Sequence, residues 1–490
     1  MYITRLHVKN MKLMRDLALD FTHEGKPRMW TAFVAENGAC KTTLLQSIAL
    51  AASGPDRANQ LADVPSLPDL RRPDESVQVS ADFRFGTRLQ KWRRFPEPTP
   101  STEDHYKQNL RSSLSIGPDQ STFSGTSRFA PPDETASVEE EDEARNRAYS
   151  QVAAAIEYLR SNPVGKDSWK GLASQLGIGP RSVLRALLEH RGPISDARSI
   201  SLPGWFVAGY GTQRQLPVPL GASELKDRVL NRLEPLFGKA PLVGTGFANQ
   251  FADTSRFEPF IAALKTVFVD NHLLPHVDAV ELRGRGGVTQ PGDLVRSHSF
   301  EFAFSGQKTK VPATWLSQGY QSTIAWIADL IGQMYLDIGE ALPLEDMEGI
   351  VLIDELDLHL HPTWQVWLVP VLKRVFPRMQ FIVTTHSPML LPALERHEIV
   401  MLRLDENGDV VAEAPPASPK LMTGSEIYSS FFNIQKLYPN DLGDELRRYT
   451  YLSSDPTRTD EEDAEMLRLQ KKLTAAGLDL GLPPVPRDMP

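Results

Sequence analysis

Residues 29–54 read "MWTAFVAENGACKTTLLQSIALAASG". A short apolar run, Trp30 to Val34, enters a loop that carries Gly38, and after Lys41 the apolar residues recur at helical spacing until Gly54 stops them. Strand, loop, helix is the setting in which G-x-x-x-x-G-K-[ST] cradles phosphate: backbone N–H groups wrap the anion, the Lys reaches its outer oxygens and the hydroxyl meets Mg²⁺. Two glycines of that pattern are replaced here, by Ala35 and Cys40, while Gly38, Lys41 and Thr42 stand where the chemistry needs them. The methyl group of Ala35 is tolerable if its φ stays negative. Cys40 is the sharper departure if its position needs a positive φ.

Composition bounds the rest. A chain of 490 residues, 41% hydrophobic and 23% charged, can bury one large core or two smaller ones. The formal net charge of −9 gives no general attraction to nucleic acid, so any DNA contact would need a local basic face. No apolar run reaches the roughly 18 to 20 residues of a membrane span, and "MYITRLHVKNMKL" at 1–13 lacks the apolar stretch of a secretion signal, so the expectation is a cytoplasmic protein without a membrane partner. A single cysteine, Cys40, permits no internal disulfide and no cysteine-based zinc site.

Along the chain, alternation of Ile3, Leu6 and Val8 with polar neighbours predicts a strand pair at the start. Residues 76–95 read as a hairpin turning at "GT", closing a first segment at 1–95. Residues 96–136, rich in Pro, Ser and Thr, read as a flexible insertion, and 137–200 as a helical insertion whose acids at 139–143 sit in a first helical turn. Within it, "KGLASQLGIGPRSVLRAL" at 170–187 has the spacing of a helix-turn-helix, in which Arg181 and Arg185 would be the residues to test for DNA contact; the alternative is a helical hairpin in an accessory lobe. "WFVAGYGTQRQ" at 205–215 returns to strand character; 201–300 reads as an accessory helical lobe, 301–410 as strands and helices completing the first core, and 411–490 as a helical tail. Basic clusters at Arg88, Lys91, Arg93, Arg94, Arg283 and Arg285 are candidate phosphate-backbone contacts or solvated surface.

The second chemistry-bearing stretch is "GIVLIDELDLHLHP" at 349–362, an apolar strand delivering Asp354 and Glu355 at its carboxyl end. A buried parallel strand with acids at its tip is how such a sheet presents ligands to a metal-bound nucleotide. Asp354 would share Mg²⁺ with the Thr42 hydroxyl, and Glu355 would orient or deprotonate water. A third stretch, "RMQFIVTTHSPMLL" at 378–391, ends a strand at His386, which reads as a phosphate sensor or as a structural hydrogen-bonding residue. Between them, Ser317 and Gly319 in "WLSQGYQS" open a helix whose N-terminus can bind an anion. His359 and His361 form a pair that a metal could use; the alternative is a structural role beside Asp357.

Together the opening "I-x-x-L-x-V-x-N" strand, "ENGACKTTLL", "LSQGYQS", "VLIDELDLHLHP" and "TTHSP" resemble the ABC-type ATPases of the RecF, SMC and OLD class, and in particular ATPase subunits of bacterial anti-phage systems such as Septu. The resemblance covers 1–55 and 300–405 and implies an α/β P-loop NTPase of ABC/RecF type, a mixed sheet with an inserted helical and β accessory lobe. It implies that Asn37, Gly38, Ala39, Cys40, Lys41, Thr42 and Thr43 contact ATP, that Thr42 and Asp354 hold Mg²⁺, and that Glu355 and His386 serve hydrolysis. It implies a signature at Ser317 and Gly319 that meets the nucleotide of a second copy, and a Q-loop glutamine at Gln213, with Gln215 and Gln90 as competitors. An ATP-dependent homodimer or higher oligomer, DNA as a candidate partner and a separately encoded effector such as a nuclease follow from the same resemblance. The acidic motifs of the nuclease domain that follows OLD-type ATPases are not found after "IVMLRL" at 399–404, so no nuclease is expected in this chain. The alternatives are an ATP-binding scaffold with marginal turnover, the ATP-binding subunit of a membrane transporter, and a DNA-binding regulator built around 170–187.

Overall fold

The computed structural model describes residues 1–86, 109–130, 205–214, 228–274, 277–281, 299–304, 307–434, 440–478, 480 and 484–486. The helix-turn-helix candidate at 170–187 and the basic residues Arg88, Lys91, Arg93, Arg94, Arg283 and Arg285 lie outside them. Two compact units result, Met1–Lys420 and Leu421–Pro490.

In the first unit the N-terminal strands β1 (Tyr2–Met11) and β2 (Met14–Asp20) pair antiparallel as their alternation predicts. The apolar strand β3 (Trp30–Val34) then leads into helix α1 (Lys41–Ser53), which ends at Gly54. Strand β4 (Val77–Arg84) pairs with β1, and its other edge takes β5 (Asn109–Ile116), which pairs with β6 (Ser124–Ala130). Within the expected flexible insertion at 96–136, residues 109–130 form these two strands, and β5, not a strand within 76–95, is the partner of β4. Leu110, Leu114 and Ile116 bury one face of β5. Arg111, opposite Asp82 in register, grips its carboxylate through two bonds of 2.6 and 2.8 Å.

Strand β7 (Val207–Tyr210) is followed by helices α2 (Arg228–Leu233) and α3 (Phe257–Lys265) and by a three-stranded antiparallel sheet of β8 (Val277–Glu281), β9 (Ser299–Phe304) and β10 (Gln307–Pro312). Helix α4 (Gln318–Ile338) is buried along nearly its whole length, which explains why apolar residues occur on every side of it. The unit finishes with β11 (Gly349–Ile353), α5 (Pro362–Val375), β12 (Met379–Thr385), β13 (Ile399–Leu404) and β14 (Val410–Glu413).

The central sheet has the order β14-β13-β3-β12-β11-β7, parallel except for the edge strand β14. Strands β3, β11 and β12 are buried on both faces, hence their unbroken apolar runs. Helix α1 packs against strands of both large sheets, so nearly every residue after Thr43 is buried. In the second unit α6 (Gly424–Phe432) and α8 (Asp460–Ala475) each start with a capping box, Thr423 with Glu426 and Thr459 with Glu462. Tyr449 and Leu452 of α7 (Asn440–Ser454) pack on Met466, Leu469 and Leu473 of α8.

Candidate nucleotide site

Register puts four strand ends on one level. Val34 pairs with Thr385, and Ile353 pairs with both Val383 and Tyr210. The loop before α1, Asp354 with Glu355, His386 and the segment 211–214 therefore all leave the carboxyl edge of adjacent parallel strands, the edge at which open α/β sheets bind ligands.

The loop has the shape the altered pattern must adopt. Gly38 takes φ +88°, and Cys40 caps α1 at φ 56°, ψ 22°, the left-handed region that the missing glycine would favour. Ala35 is not among the residues with positive φ, so its methyl group is accommodated. No side chain caps the first turn of α1 and it holds no acid, which leaves its N-terminal N–H groups available to an anion. Asn37 and Gly38 are exposed while the Ala39 methyl group is buried in the core. The buried Lys41 ammonium donates to the Ala35 and Glu36 carbonyl oxygens at 2.9 and 2.8 Å. Burial lowers its pKa, against the pull of Asp354, Glu355 and Asp357. Lys12 Nζ donates to Thr43 Oγ1 at 3.1 Å.

Asp354 joins the two halves of the site. Its Oδ2 accepts from Thr42 Oγ1 at 2.7 Å across 312 residues of chain, and its Oδ1 accepts from Thr384 Oγ1 at 2.6 Å. The same Thr384 oxygen accepts from the Glu355 N–H at 2.7 Å. Glu355 is held at φ 48°, a conformation a side chain disfavours, and Arg214 Nη2 donates to its carbonyl oxygen at 2.6 Å. Thr385 Oγ1 donates to Asp357 Oδ1 at 2.5 Å, and the His386 N–H reaches the same oxygen at 3.4 Å. The half-buried His386 ring has its pKa lowered by burial and by Lys41, which keeps it neutral at neutral pH.

Ser317 caps α4 without a side-chain capping bond, and Gly319 lies against the acid loop: a Cβ there would stand 2.3 Å from the His359 carbonyl oxygen. Only glycine permits that approach. Gln213 is exposed in the segment after β7, and its competitors Gln90 and Gln215 lie outside the described residues. His361 accepts from the Thr363 N–H through Nδ1 and so caps α5, a structural role, and no cluster of three or more metal-ligating side chains occurs among the described residues. Sequence reasoning missed Thr384, Thr385 and Arg214. The paired threonines ending an otherwise apolar strand were a signal, since buried hydroxyls need partners; Arg214 carried none.

The family described as "AAA domain, putative AbiEii toxin, Type IV TA system" matches residues 36–391. The chain is 30% identical over 274 residues to "Septu protein PtuA" of Bacillus mycoides (strain KBAB4), covering 56% of this chain and 35% of that protein. It is 36% identical over 126 residues to "Retron Ec83 probable ATPase" of Escherichia coli, covering 26% of this chain and 22% of that protein. The chain thus spans well under half the length of either relative. Among solved structures it is similar to an SMC head bound to the C-terminal winged-helix domain of ScpA, with a TM-score of 0.42 and 14% identity over 84% of this chain and 98% of the other.

Proposed function

Because the chain belongs to the AAA-domain family matched over residues 36–391, we propose that it is a Mg²⁺-dependent ATPase of ABC/RecF type that serves a bacterial anti-phage system by controlling a separately encoded effector. The observation that carries the enzymatic part is the 2.7 Å bond from Thr42 to Asp354, which joins the phosphate loop to the acid strand. Neighbouring ligands in an octahedral Mg²⁺ shell are roughly 3 Å apart, so this hydroxyl and carboxylate fit one edge of such a shell. Mg²⁺, when bound, would neutralise charge on the outer phosphates.

The chain's own groups do the remainder. N–H groups of residues 38–43 bind phosphate oxygens, and the Lys41 ammonium exchanges two carbonyl oxygens for phosphate. Thr384 holds Asp354 and the Glu355 backbone together, so that Glu355 meets the attacking water as its base. His386, as a neutral imidazole, donates a hydrogen bond to the terminal phosphate. The names of the relatives support the anti-phage assignment, and DNA as the signal is a further part of the proposal.

Steady-state hydrolysis and binding of a fluorescent ATP analogue test the reading. Lys41→Ala should lose binding, while Glu355→Gln should bind with near wild-type affinity and turn over at least 100-fold more slowly. Wild-type turnover indistinguishable from Glu355→Gln, with binding intact in both, would instead support the ATP-binding scaffold.

A further inference from the structure

Gln365, near the start of α5, is buried, and both polar atoms of its amide are engaged. Nε2 donates to the Leu360 carbonyl oxygen at 2.9 Å, with the Asp357 carbonyl oxygen at 3.4 Å, and Oε1 accepts from Ser387 Oγ. Carbonyl oxygens only accept, and the serine hydroxyl has one hydrogen to give, so the amide stands one way round. Burying an amide brings nothing over an apolar side chain of the same size unless its bonds are made; made to two segments at once, they fix the register of both.

The two segments carry different parts of the site. Ser387 directly follows His386, and its N–H donates at 2.9 Å to Thr385 Oγ1, the hydroxyl that binds Asp357. The other segment is the floor on which α4 begins. Gly319 lies against the His359 carbonyl oxygen and the Leu360 Cα, and the next ring, Tyr320, meets that of Trp364 edge to face with centroids 4.0 Å apart. We propose that Gln365 is a positioning residue: its amide locks the segment carrying His386 to the floor of α4, so that a terminal phosphate held at His386 also fixes where Ser317 stands. The inference rests on the nucleotide reading above and on the expected use of Ser317 by a second copy, and it adds the link between them within one chain.

The test uses the full chain with hydrolysis blocked by Glu355→Gln, to which Gln365→Met, Ser387→Ala or both are added. Binding of a fluorescent ATP analogue is measured at low chain concentration, and ATP-dependent association by light scattering. Each single change should raise the chain concentration for half-maximal association about 10-fold and leave analogue affinity within about twofold. Together they should do no worse than the poorer of the two, because both break the same bond. Ser387→Ala leaves Gln365 on Leu360, and with it the seat of Gly319, so it separates the link from mere support of α4. Normal association in Ser387→Ala overturns the inference, as do additive effects or analogue binding weakened as much as association. Should Gln365→Met not fold, Ser387→Ala decides alone. A Glu355→Gln parent that binds no analogue, or binds it without associating, overturns the readings on which the inference rests and the inference with them, a failure seen before any further variant is made.

Discussion

Cys40 shows how one residue can depart from a motif without abolishing it. The backbone at φ 56° is the conformation glycine would supply, and holding a side chain there costs on the order of 1 kcal/mol. The core of the protein sustains that cost because α1 is wedged between two sheets and cannot rotate its first turn away. Cys40→Gly should therefore raise stability by about 1 kcal/mol, offset by a few tenths for the freer unfolded chain, and it should retain nucleotide binding. Thermal unfolding without nucleotide checks the first point; an unchanged or lower midpoint would show that the strain is absorbed elsewhere. Because the thiol sits at the helix start where phosphate is to bind, alkylation should block binding and bound ATP should slow alkylation. Equal labelling rates with and without Mg-ATP would place the thiol away from the nucleotide. The sequence identifies Cys40 as the critical substitution because pattern and sterics agree there. It is silent on Arg214, since a lone arginine in a loop has no periodicity and its burial is created by the register of β7 on β11.

At the scale of elements, α4 is tied to the site by a buried carboxylate. Asp329 accepts from the Val243 and Gly244 N–H groups at 3.0 and 3.2 Å and from the Tyr210 hydroxyl at 3.2 Å, and Tyr210 ends the strand that delivers Arg214. Burial pushes the Asp329 carboxyl from the ordinary 3.8 up to about 6, more than its hydrogen bonds pull it down. The folded state thus holds this proton more tightly than the unfolded chain. The associated stability is fully present below about pH 4 and is lost as pH rises through about 6, a change on the order of 3 kcal/mol. Asp329→Asn keeps an oxygen for the two N–H groups and cannot titrate, so the difference in unfolding free energy between mutant and wild type should grow in the mutant's favour from pH 4 to 7. Parallel urea-unfolding profiles over that range would refute the assignment. Elements buried on both faces, β3, β11 and β12, were legible because continuous apolar runs bounded by loops have few other solutions. Strand β5 was not, because its less buried places are filled by Asn109, Arg111, Ser113 and Ser115, which with the buried Ser112 give it the local composition of a flexible segment.

For the whole molecule, folding brings together on one sheet edge groups from residues 37 to 386, which is why motif order in the sequence could anticipate the site while its hydrogen bonds could not be read. The start of α4 remains the part whose partner lies in question. Gly319 seats it against the segment following Glu355, and the exposed Ser317 caps it without a side-chain bond, so that hydroxyl is free to serve another molecule. If Ser317 completes the nucleotide site of a second copy, ATP should join two chains, and each site should draw its loop from one and its signature from the other. Ser317→Arg should then bind ATP but neither associate nor hydrolyse, and Lys41→Ala should do none of these. Mixed in equal amounts, the two inactive variants would form hybrids with one intact site, made of the loop of Ser317→Arg and the signature of Lys41→Ala. Since neither variant associates with itself, every dimer formed is a hybrid with one of its two sites intact, which predicts recovery of up to about half of wild-type turnover. Light scattering with ATP and the Glu355→Gln variant should report the same association as a gain in mass. No recovery in the mixture, from variants that are folded and with Ser317→Arg still binding ATP, would mean that each chain completes its own site and that Ser317 has no part in a partner's chemistry.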